Sequence, residues 1–121
     1  MSPSTPPMAS DEDALRESID QDSRNAGAHY SLGYMLSHDP ARVHEAEAAL
    51  RTAIELEPRN PQFAYRLGLP SHENLHDFVK AETAYRRAVE LAPTDPYYYG
   101  GLINLLVQQQ RYAEAVALGA N

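Results

Sequence analysis

The chain has 121 residues, 43% of them hydrophobic and 22% charged, a composition typical of a folded protein about the size of one domain. Its net charge is −7, its single lysine is Lys80 and its arginines are scattered, so it lacks the clustered basic side chains that binding to nucleic acid requires. It has no cysteine, hence no disulfide and no thiolate metal ligand, and no stretch is long and apolar enough for insertion into a membrane.

The first predicted helix follows a short leader. Proline, serine and threonine dominate residues 1–10, so we expect this segment to be disordered. It lacks the basic start and apolar run of a secretory signal, and we therefore expect a cytoplasmic protein. A capping helix is predicted within residues 11–22. Ser10 is its expected N-cap, because Ser10 and Asp13 have the spacing of a capping box.

Three helix starts then recur at intervals of 35 residues. Asn25, Asn60 and Asp95 carry side-chain oxygens that suit an N-cap. Proline follows the last two, and proline at the first helical position loses no hydrogen bond within the helix. The pattern predicts helices that begin near Ala26, Pro61 and Pro96.

A second set of helices lies between these starts. The segment AEAALRTAIELEPRNP at residues 46–61 recurs as AETAYRRAVELAPTDP at residues 81–96, 35 residues later. Both segments place small and apolar residues at helical spacing on one face, and a fixed period of this length is typical of stacked helical repeats. We expect an all-α fold, because no β pattern occurs. The companion helices are predicted at Ala41–Leu56, Asp77–Leu91 and Tyr112–Gly119.

The repeated motifs resemble the tetratricopeptide repeat (TPR), whose signature is W-x2-L-G-x2-Y, then A-x3-F, then P. The matching residues are His29, Leu32, Gly33, Leu36, Ala46, Leu50 and Pro58 in the first repeat, Ala64, Leu67, Gly68, Ser71, Ala81, Tyr85 and Pro93 in the second, and Tyr99, Leu102, Ile103, Leu106, Ala115 and Gly119 in the third. The resemblance implies a TPR-like α-solenoid of about seven helices, that is, a right-handed superhelical stack of antiparallel helix pairs. It also implies a single domain over residues 11–121, with repeats at 26–59 and 61–94 and a truncated repeat at 96–121.

Two departures from the family pattern matter physically. Pro70 falls inside the first helix of the second repeat, where a proline costs roughly 3 kcal/mol because it removes a hydrogen bond and clashes with the preceding turn. We therefore expect this helix to end or kink near Leu69 and residues 70–76 to form a loose connection. The last helix lacks the final turns of its counterparts, so we expect Val116 and Leu118 to be left without a covering helix.

The resemblance implies that a partner binds in a concave groove lined by the first helix of each repeat. Carried over residue by residue, the groove consists of Tyr30, Tyr34, Gln62, Tyr65, Arg66, Leu69, Tyr97, Asn104 and Gln108. Tyrosine is common at interfaces, although some of these side chains would instead pack between helices. We predict a non-catalytic protein–protein interaction module that presents a tyrosine-rich groove to a peptide or protein partner and uses no cofactor.

A second interpretation is a structural scaffold that self-associates. Its contact residues would be Leu102, Leu105, Val116 and Leu118, which another copy would cover in a homo-oligomer. An enzyme is the least favoured interpretation. The histidines and neighbouring glutamates form no evident ligand set or catalytic pair, and no glycine-rich phosphate loop occurs, so we expect neither a metal site nor catalysis.

Overall fold

The computed structural model describes residues 7–119, with side chains from residue 11 onward. This part of the chain contains seven α-helices, two short 3₁₀ turns and no strand, which confirms the predicted all-α fold. None of these helices has the length and apolar character needed to cross a membrane. The helices are α1 Pro7–Gln21, α2 Ala26–Leu36, α3 Val43–Leu56, α4 Pro61–Glu73, α5 Phe78–Leu91, α6 Tyr99–Gln108 and α7 Tyr112–Gly119.

The chain divides into two compact units. Unit 1 ends at Pro58 and contains α1, α2 and α3, while unit 2 begins at Arg59 and contains α4 to α7. Each unit has an apolar cluster built from its own helices. The prediction of a single domain over residues 11–121 stays a prediction.

The helix starts follow the capping pattern in the sequence. The side chains of Asn25, Asn60 and Asp95 accept hydrogen bonds of 3.0 to 3.1 Å from backbone N–H groups two or three residues further on. As predicted, α2 begins at Ala26 and α4 at Pro61. After Asp95, however, the chain first forms the 3₁₀ turn Pro96–Tyr98, so α6 begins three residues later than predicted.

The first helix is longer than predicted. It begins at Pro7 rather than Asp11, so the leader predicted over residues 1–10 overlaps α1 by four residues. Ser10 accordingly lies within the helix and is not its N-cap. Proline is well suited to the first helical position, since it has no partner for an N–H there. Residues 1–6 lie outside the described part of the chain.

The predicted end of α4 near Leu69 is wrong, because the helix continues to Glu73. A kink there, the other predicted outcome, stays a prediction. Pro70 cannot donate a hydrogen bond, but its carbonyl accepts from the N–H groups of Asn74 at 3.0 Å and Leu75 at 3.1 Å. Pro70 and Ser71 are both buried, so packing holds this turn in place. Burial of the last turn therefore outweighs the loss of about 3 kcal/mol expected for a proline inside a regular helix.

Close contact between α2 and α3 determines the packing of unit 1. Leu50 of α3 is fully buried against Gly33 of α2. A Cβ atom added to Gly33 would lie 2.6 Å from Cγ of Leu50 and 3.1 Å from the carbonyl oxygen of Ala46. Only glycine leaves room for this approach. Leu15 and Ile19 of α1 pack on the same apolar cluster.

Unit 2 uses the same arrangement with a larger side chain. Tyr85 of α5, 35 residues after Leu50, is fully buried against Gly68 of α4. A Cβ atom on Gly68 would lie 2.5 Å from Cε1 of Tyr85, and one on Gly101 of α6 would lie 2.9 Å from the same atom. Two glycines therefore make room for one buried tyrosine ring, which packs with Leu102, Leu105 and Leu106 of α6.

Matching ion-pair networks link α1 to α3 in unit 1 and α5 to α7 in unit 2. Arg42 donates two hydrogen bonds of 2.6 Å to the Glu12 carboxylate, and Arg111 donates bonds of 2.6 and 3.2 Å to Glu82. The bonds from Arg42 lower the pKa of Glu12 to about 2, and those from Arg111 lower the pKa of Glu82. Glu12 and Glu82 are 70 residues apart, so the network follows the sequence repeat.

The role of Gly33 can be tested by adding a single methyl group. We expect Gly33→Ala to lower the free energy of unfolding by about 1–3 kcal/mol, because the new Cβ collides with Leu50 and with a backbone carbonyl that cannot move aside. Gly100→Ala is the matched control. A Cβ there meets no atom within 4 Å, so this change should stabilise α6 by up to about 1 kcal/mol. Urea unfolding measures both, and equal effects would contradict the packing described.

Candidate functional site

Three tyrosines of unit 2 form a compact aromatic surface, here called the tyrosine surface. Tyr65 comes from α4, while Tyr97 and Tyr98 come from the 3₁₀ turn before α6. The ring centroid of Tyr65 lies 5.2 Å from that of Tyr97 and 5.7 Å from that of Tyr98, and the rings of Tyr97 and Tyr98 are 5.1 Å apart. These are ordinary distances for tilted and edge-to-face aromatic pairs.

The tyrosine surface is open at one side and buried at the other. Tyr97 is 58% exposed, whereas Tyr65 is half-buried and its ring also contacts the fully buried Tyr85 at 5.5 Å. Burial, and then the neighbouring Tyr97, raise the pKa of Tyr65. The Tyr65 hydroxyl is therefore neutral at physiological pH and can donate a hydrogen bond.

A row of hydrogen-bonded side chains holds the hydroxyl group of Tyr85, the buried residue on which Tyr65 packs. The Tyr85 hydroxyl and Nδ1 of His72 are 3.1 Å apart, and Nε2 of His72 contacts Oε1 of Gln108. A neutral imidazole that carries its proton on Nε2 satisfies both contacts, because it accepts from Tyr85 and donates to Gln108. Burial raises the pKa of Tyr85. The ring behind the tyrosine surface is thus fixed by packing and by a hydrogen bond.

The other predicted groove residues of unit 2 differ in exposure. Gln62 and Asn104 are exposed, Arg66 and Leu69 are half-buried, and Leu69 packs on the apolar cluster of the unit. Gln108 is exposed but bonded to His72, so it belongs to the support of Tyr85. The structure therefore places Tyr65 and Tyr97 in direct contact, while the amides of Gln62 and Asn104 remain accessible to solvent.

The two predicted groove residues of unit 1 lie one turn apart on α2. The ring centroids of Tyr30 and Tyr34 are 6.4 Å apart, and Tyr34 is 42% exposed. Tyr34 also packs against the ring of His38 at 4.9 Å. That these residues belong to one groove with those of unit 2 stays a prediction.

Sequence reasoning missed three residues of this region: Tyr98, Tyr85 and His72. A helix beginning at Pro96 does not bring Tyr98 to the same place as the observed 3₁₀ turn does. The run of three tyrosines at residues 97–99 was the available signal. Tyr85 was recognised as the large residue of the repeat motif, but its contact with His72 depends on the continuation of α4 past Pro70.

The residues predicted for self-association are unequally accessible. Leu102 and Leu105 are fully buried in the apolar cluster of unit 2, and Leu118 is half-buried against the same cluster. Val116 is 69% exposed. Within unit 2 itself, Val116 is thus the member of this set with most surface available to another molecule.

Several residues with metal-binding or acid–base potential are engaged in structural contacts. Over the described side chains, no group of three or more histidines and carboxylates has the geometry to hold a metal ion. His29 contacts the carbonyl of Ser23 at 3.0 Å, and His72 bonds to Tyr85. Glu12 and Glu82 are held by arginines.

Comparison with known proteins identifies similar sequences and folds. The tetratricopeptide repeat profile matches residues 41–96 and 70–120, more than half of the chain. The solved structure of MamA from Desulfovibrio magneticus RS-1 superposes with a TM-score of 0.80 at 19% identity, over 90% of this chain and 60% of that one. MamA MSR-1 gives 0.74 at 22% identity, over 92% and 63%, and MamA AMB-1 gives 0.72 at 22%, over 90% and 63%. No curated protein sequence matches the chain.

The likeness to MamA is one of fold. The chain spans less than two thirds of the length of these structures, and the identity is 19–22%. The superposed structures share the helical repeat architecture with this chain.

The environment of Tyr85 can be tested by unfolding at alkaline pH. Because burial raises the folded pKa of Tyr85, its contribution to stability is present below the unfolded value near pH 10 and is lost as the pH rises above it. Tyr85→Phe removes this titration, so its free energy of unfolding should fall less steeply above about pH 10 than that of the wild type. At neutral pH the variant should lose about 1 kcal/mol, because His72 loses its donor.

Tyr112→Phe serves as the control, since it alters an exposed tyrosine of the same unit. Urea unfolding at several pH values gives the slopes. Equal slopes for Tyr85→Phe and the wild type would show that Tyr85 ionises as easily in the folded chain as in the unfolded one.

Proposed function

Because the chain belongs to the tetratricopeptide repeat family, we propose that it is a non-catalytic protein–protein interaction module. Members of this family generally act as interaction modules rather than as enzymes. The proposed partner is a peptide or protein, and its proposed binding site is the tyrosine surface of unit 2. The proposed compartment is the cytoplasm.

The observation that carries this proposal is an exposed ring on a buried support. Tyr97 is 58% exposed and packs on Tyr65, which in turn packs on the buried Tyr85. Aromatic side chains held in one rotamer lose little conformational entropy when a partner binds. They also offer a large apolar area with polar tips, the combination found at binding hot spots.

Two exposed amides among the proposed groove residues would orient a bound peptide. The exposed amides of Gln62 and Asn104 can each donate to and accept from a peptide backbone. Tyr30 and Tyr34 of unit 1 are proposed to extend the contact along a longer partner. The tyrosine rings would thus provide most of the affinity, and the amides would fix the orientation of the bound peptide.

The experiment compares two tyrosines of almost equal exposure. Peptides are selected on the wild-type chain from a displayed random library, and their affinities are then measured for two variants by fluorescence anisotropy. Tyr97→Ala should weaken binding at least about tenfold, because it removes the exposed ring of the surface. Tyr112→Ala changes a ring that is 56% exposed on α7 and should leave affinity unchanged.

The free energy of unfolding of both variants, measured in urea, should equal that of the wild type within about 0.5 kcal/mol, because both side chains are on the surface. If Tyr97→Ala binds the selected peptides as tightly as the wild type, the tyrosine surface is not the binding site. The same conclusion follows if Tyr112→Ala loses as much affinity as Tyr97→Ala.

Self-association is the second proposed function, and an apolar stripe on α7 favours it. Tyr112 and Val116 lie one turn apart on the same face and are 56% and 69% exposed. A second copy of the chain would cover this stripe in a dimer. Light scattering separates the two proposals: a wild-type dimer that Val116→Asp dissolves supports self-association, whereas a wild-type monomer at high concentration rules it out.

A further inference from the structure

Unit 1 contains a second candidate binding site, here called the unit 1 cleft, whose lining includes no residue of the tyrosine surface. The cleft has a volume of about 440 Å³ and is bordered by α1, α2 and α3. Its volume is within the range of pockets that hold a ligand group or an anchoring side chain. The apolar part of its lining includes Ile19 of α1, Leu32 and Leu36 of α2, and Ala48 and Ala49 of α3.

The ion pairs and hydrogen bonds that hold the helices around the cleft have counterparts in unit 2. Glu12 and Arg42 are bridged at 2.6 Å in unit 1, as Glu82 and Arg111 are in unit 2. The comparison also extends to side chain–backbone contacts. His29 contacts the carbonyl oxygen of Ser23 at 3.0 Å, and 70 residues later Tyr99 donates to the carbonyl oxygen of Pro93 at 2.7 Å. The same contacts therefore hold the corresponding helices in both units.

One position of the lining differs in size between the units. In the register that aligns Arg42 with Arg111, which are 69 residues apart, Ala49 of α3 corresponds to Leu118 of α7. Leu118 packs against the apolar cluster of unit 2 and also borders a cavity of about 490 Å³ there, while Ala49 belongs to the apolar cluster of unit 1 and lines its cleft. On the α3 side, the apolar wall of the unit 1 cleft thus consists of small side chains, Ala48 and Ala49. A leucine-sized side chain supplied by another molecule would complete the packing.

The charge around the cleft indicates which kind of molecule would supply it. Asp20 belongs to the cleft lining, and Asp13 and Glu17 follow the same stripe of α1, where all three are exposed. Arg16, the basic member of this helix, also lines the cleft, but its charge is balanced by bridges to Glu12 at 3.0 Å and to Glu45 at 3.4 Å. The rim is therefore acidic, and it complements a basic partner.

We propose that the unit 1 cleft binds a basic amphipathic segment of a partner protein, which inserts one leucine-sized side chain between α1 and α3 and places lysine or arginine against Asp13, Glu17 and Asp20. A helix with its apolar side chains in a groove is a common mode of peptide recognition. A second copy of the chain is a poor match, since its net charge is −7.

The test uses a fluorescein-labelled amphipathic helix of lysine and leucine as the probe. Two further peptides control for its chemistry, one with serine in place of leucine and one with glutamate in place of lysine. Fluorescence anisotropy on the full chain should show binding of the lysine–leucine peptide alone, and this binding should weaken as salt is raised. If the wild type does not bind that peptide, or binds either control equally well, the proposal is overturned.

A substitution that fills part of the cleft with a side chain of the protein itself tests the site more directly. Ala49→Leu introduces the residue found at the matching position of unit 2 and should reduce affinity for the lysine–leucine peptide at least about tenfold, because the new side chain occupies part of the cleft. Ala117→Leu adds the same side chain at an exposed position of α7 and should bind as the wild type does. Unchanged affinity in Ala49→Leu would overturn the proposal.

A second variant keeps the test decisive if Ala49→Leu fails to fold. Asp20→Lys reverses an exposed charge at the rim and should weaken binding about three- to tenfold at low salt without altering the fold. Tyr97→Ala should bind the lysine–leucine peptide normally, so the outcome is independent of the tyrosine surface. Full affinity in Asp20→Lys at low salt would contradict the assigned role of the acidic rim.

Discussion

The structure depends on how closely paired helices approach each other, and two glycines set that distance. At Gly33 and Gly68 the facing side chain lies so close that a single added methyl group would fall 2.6 and 2.5 Å from it. The facing side chains, Leu50 and Tyr85, are fully buried. Interiors are packed as densely as organic crystals, so such contacts tolerate little change. Because Tyr85 is held in this way, Tyr65 and the exposed Tyr97 have a rigid support.

The same helix-to-helix contacts recur in both units, while the surface side chains differ between them. The arginine–glutamate networks recur with nearly the same distances, so they preserve the geometry of both units. Changes that do not disturb these contacts then produce different surfaces. At matching positions, unit 2 has a leucine at residue 118 and unit 1 has an alanine at residue 49, which lines the unit 1 cleft. Function in a repeat protein is carried by such substitutions rather than by the fold, which is why MamA at about 20% identity informs us on architecture alone.

Features governed by local chemistry were predictable from the sequence, and those governed by tertiary packing were not. Asn25 and Asn60 cap helices that begin where predicted, since an N-cap needs only a side-chain oxygen and the next few residues. Pro70 misled the prediction because its cost in a helix is local, whereas the burial that offsets it comes from the rest of unit 2. The position of Tyr98 depends on three residues forming a 3₁₀ turn instead of an α-turn, a small difference that capping signals do not distinguish. The cleft beside Ala49 is lined by residues of three helices, so no single segment of the sequence indicates it.

A double-mutant cycle between α4 and α5 tests the central packing contact most directly. The free energy of unfolding is measured for the wild type, Gly68→Ala, Tyr85→Val and the double variant. In the wild-type background Gly68→Ala should cost about 1–3 kcal/mol. In the Tyr85→Val background the two ring atoms that lie 2.5 and 2.6 Å from the new Cβ are gone, so the same change should be neutral or stabilising by up to about 1 kcal/mol. An equal loss in both backgrounds would show that the glycine is not there to admit the tyrosine ring, and would contradict this account.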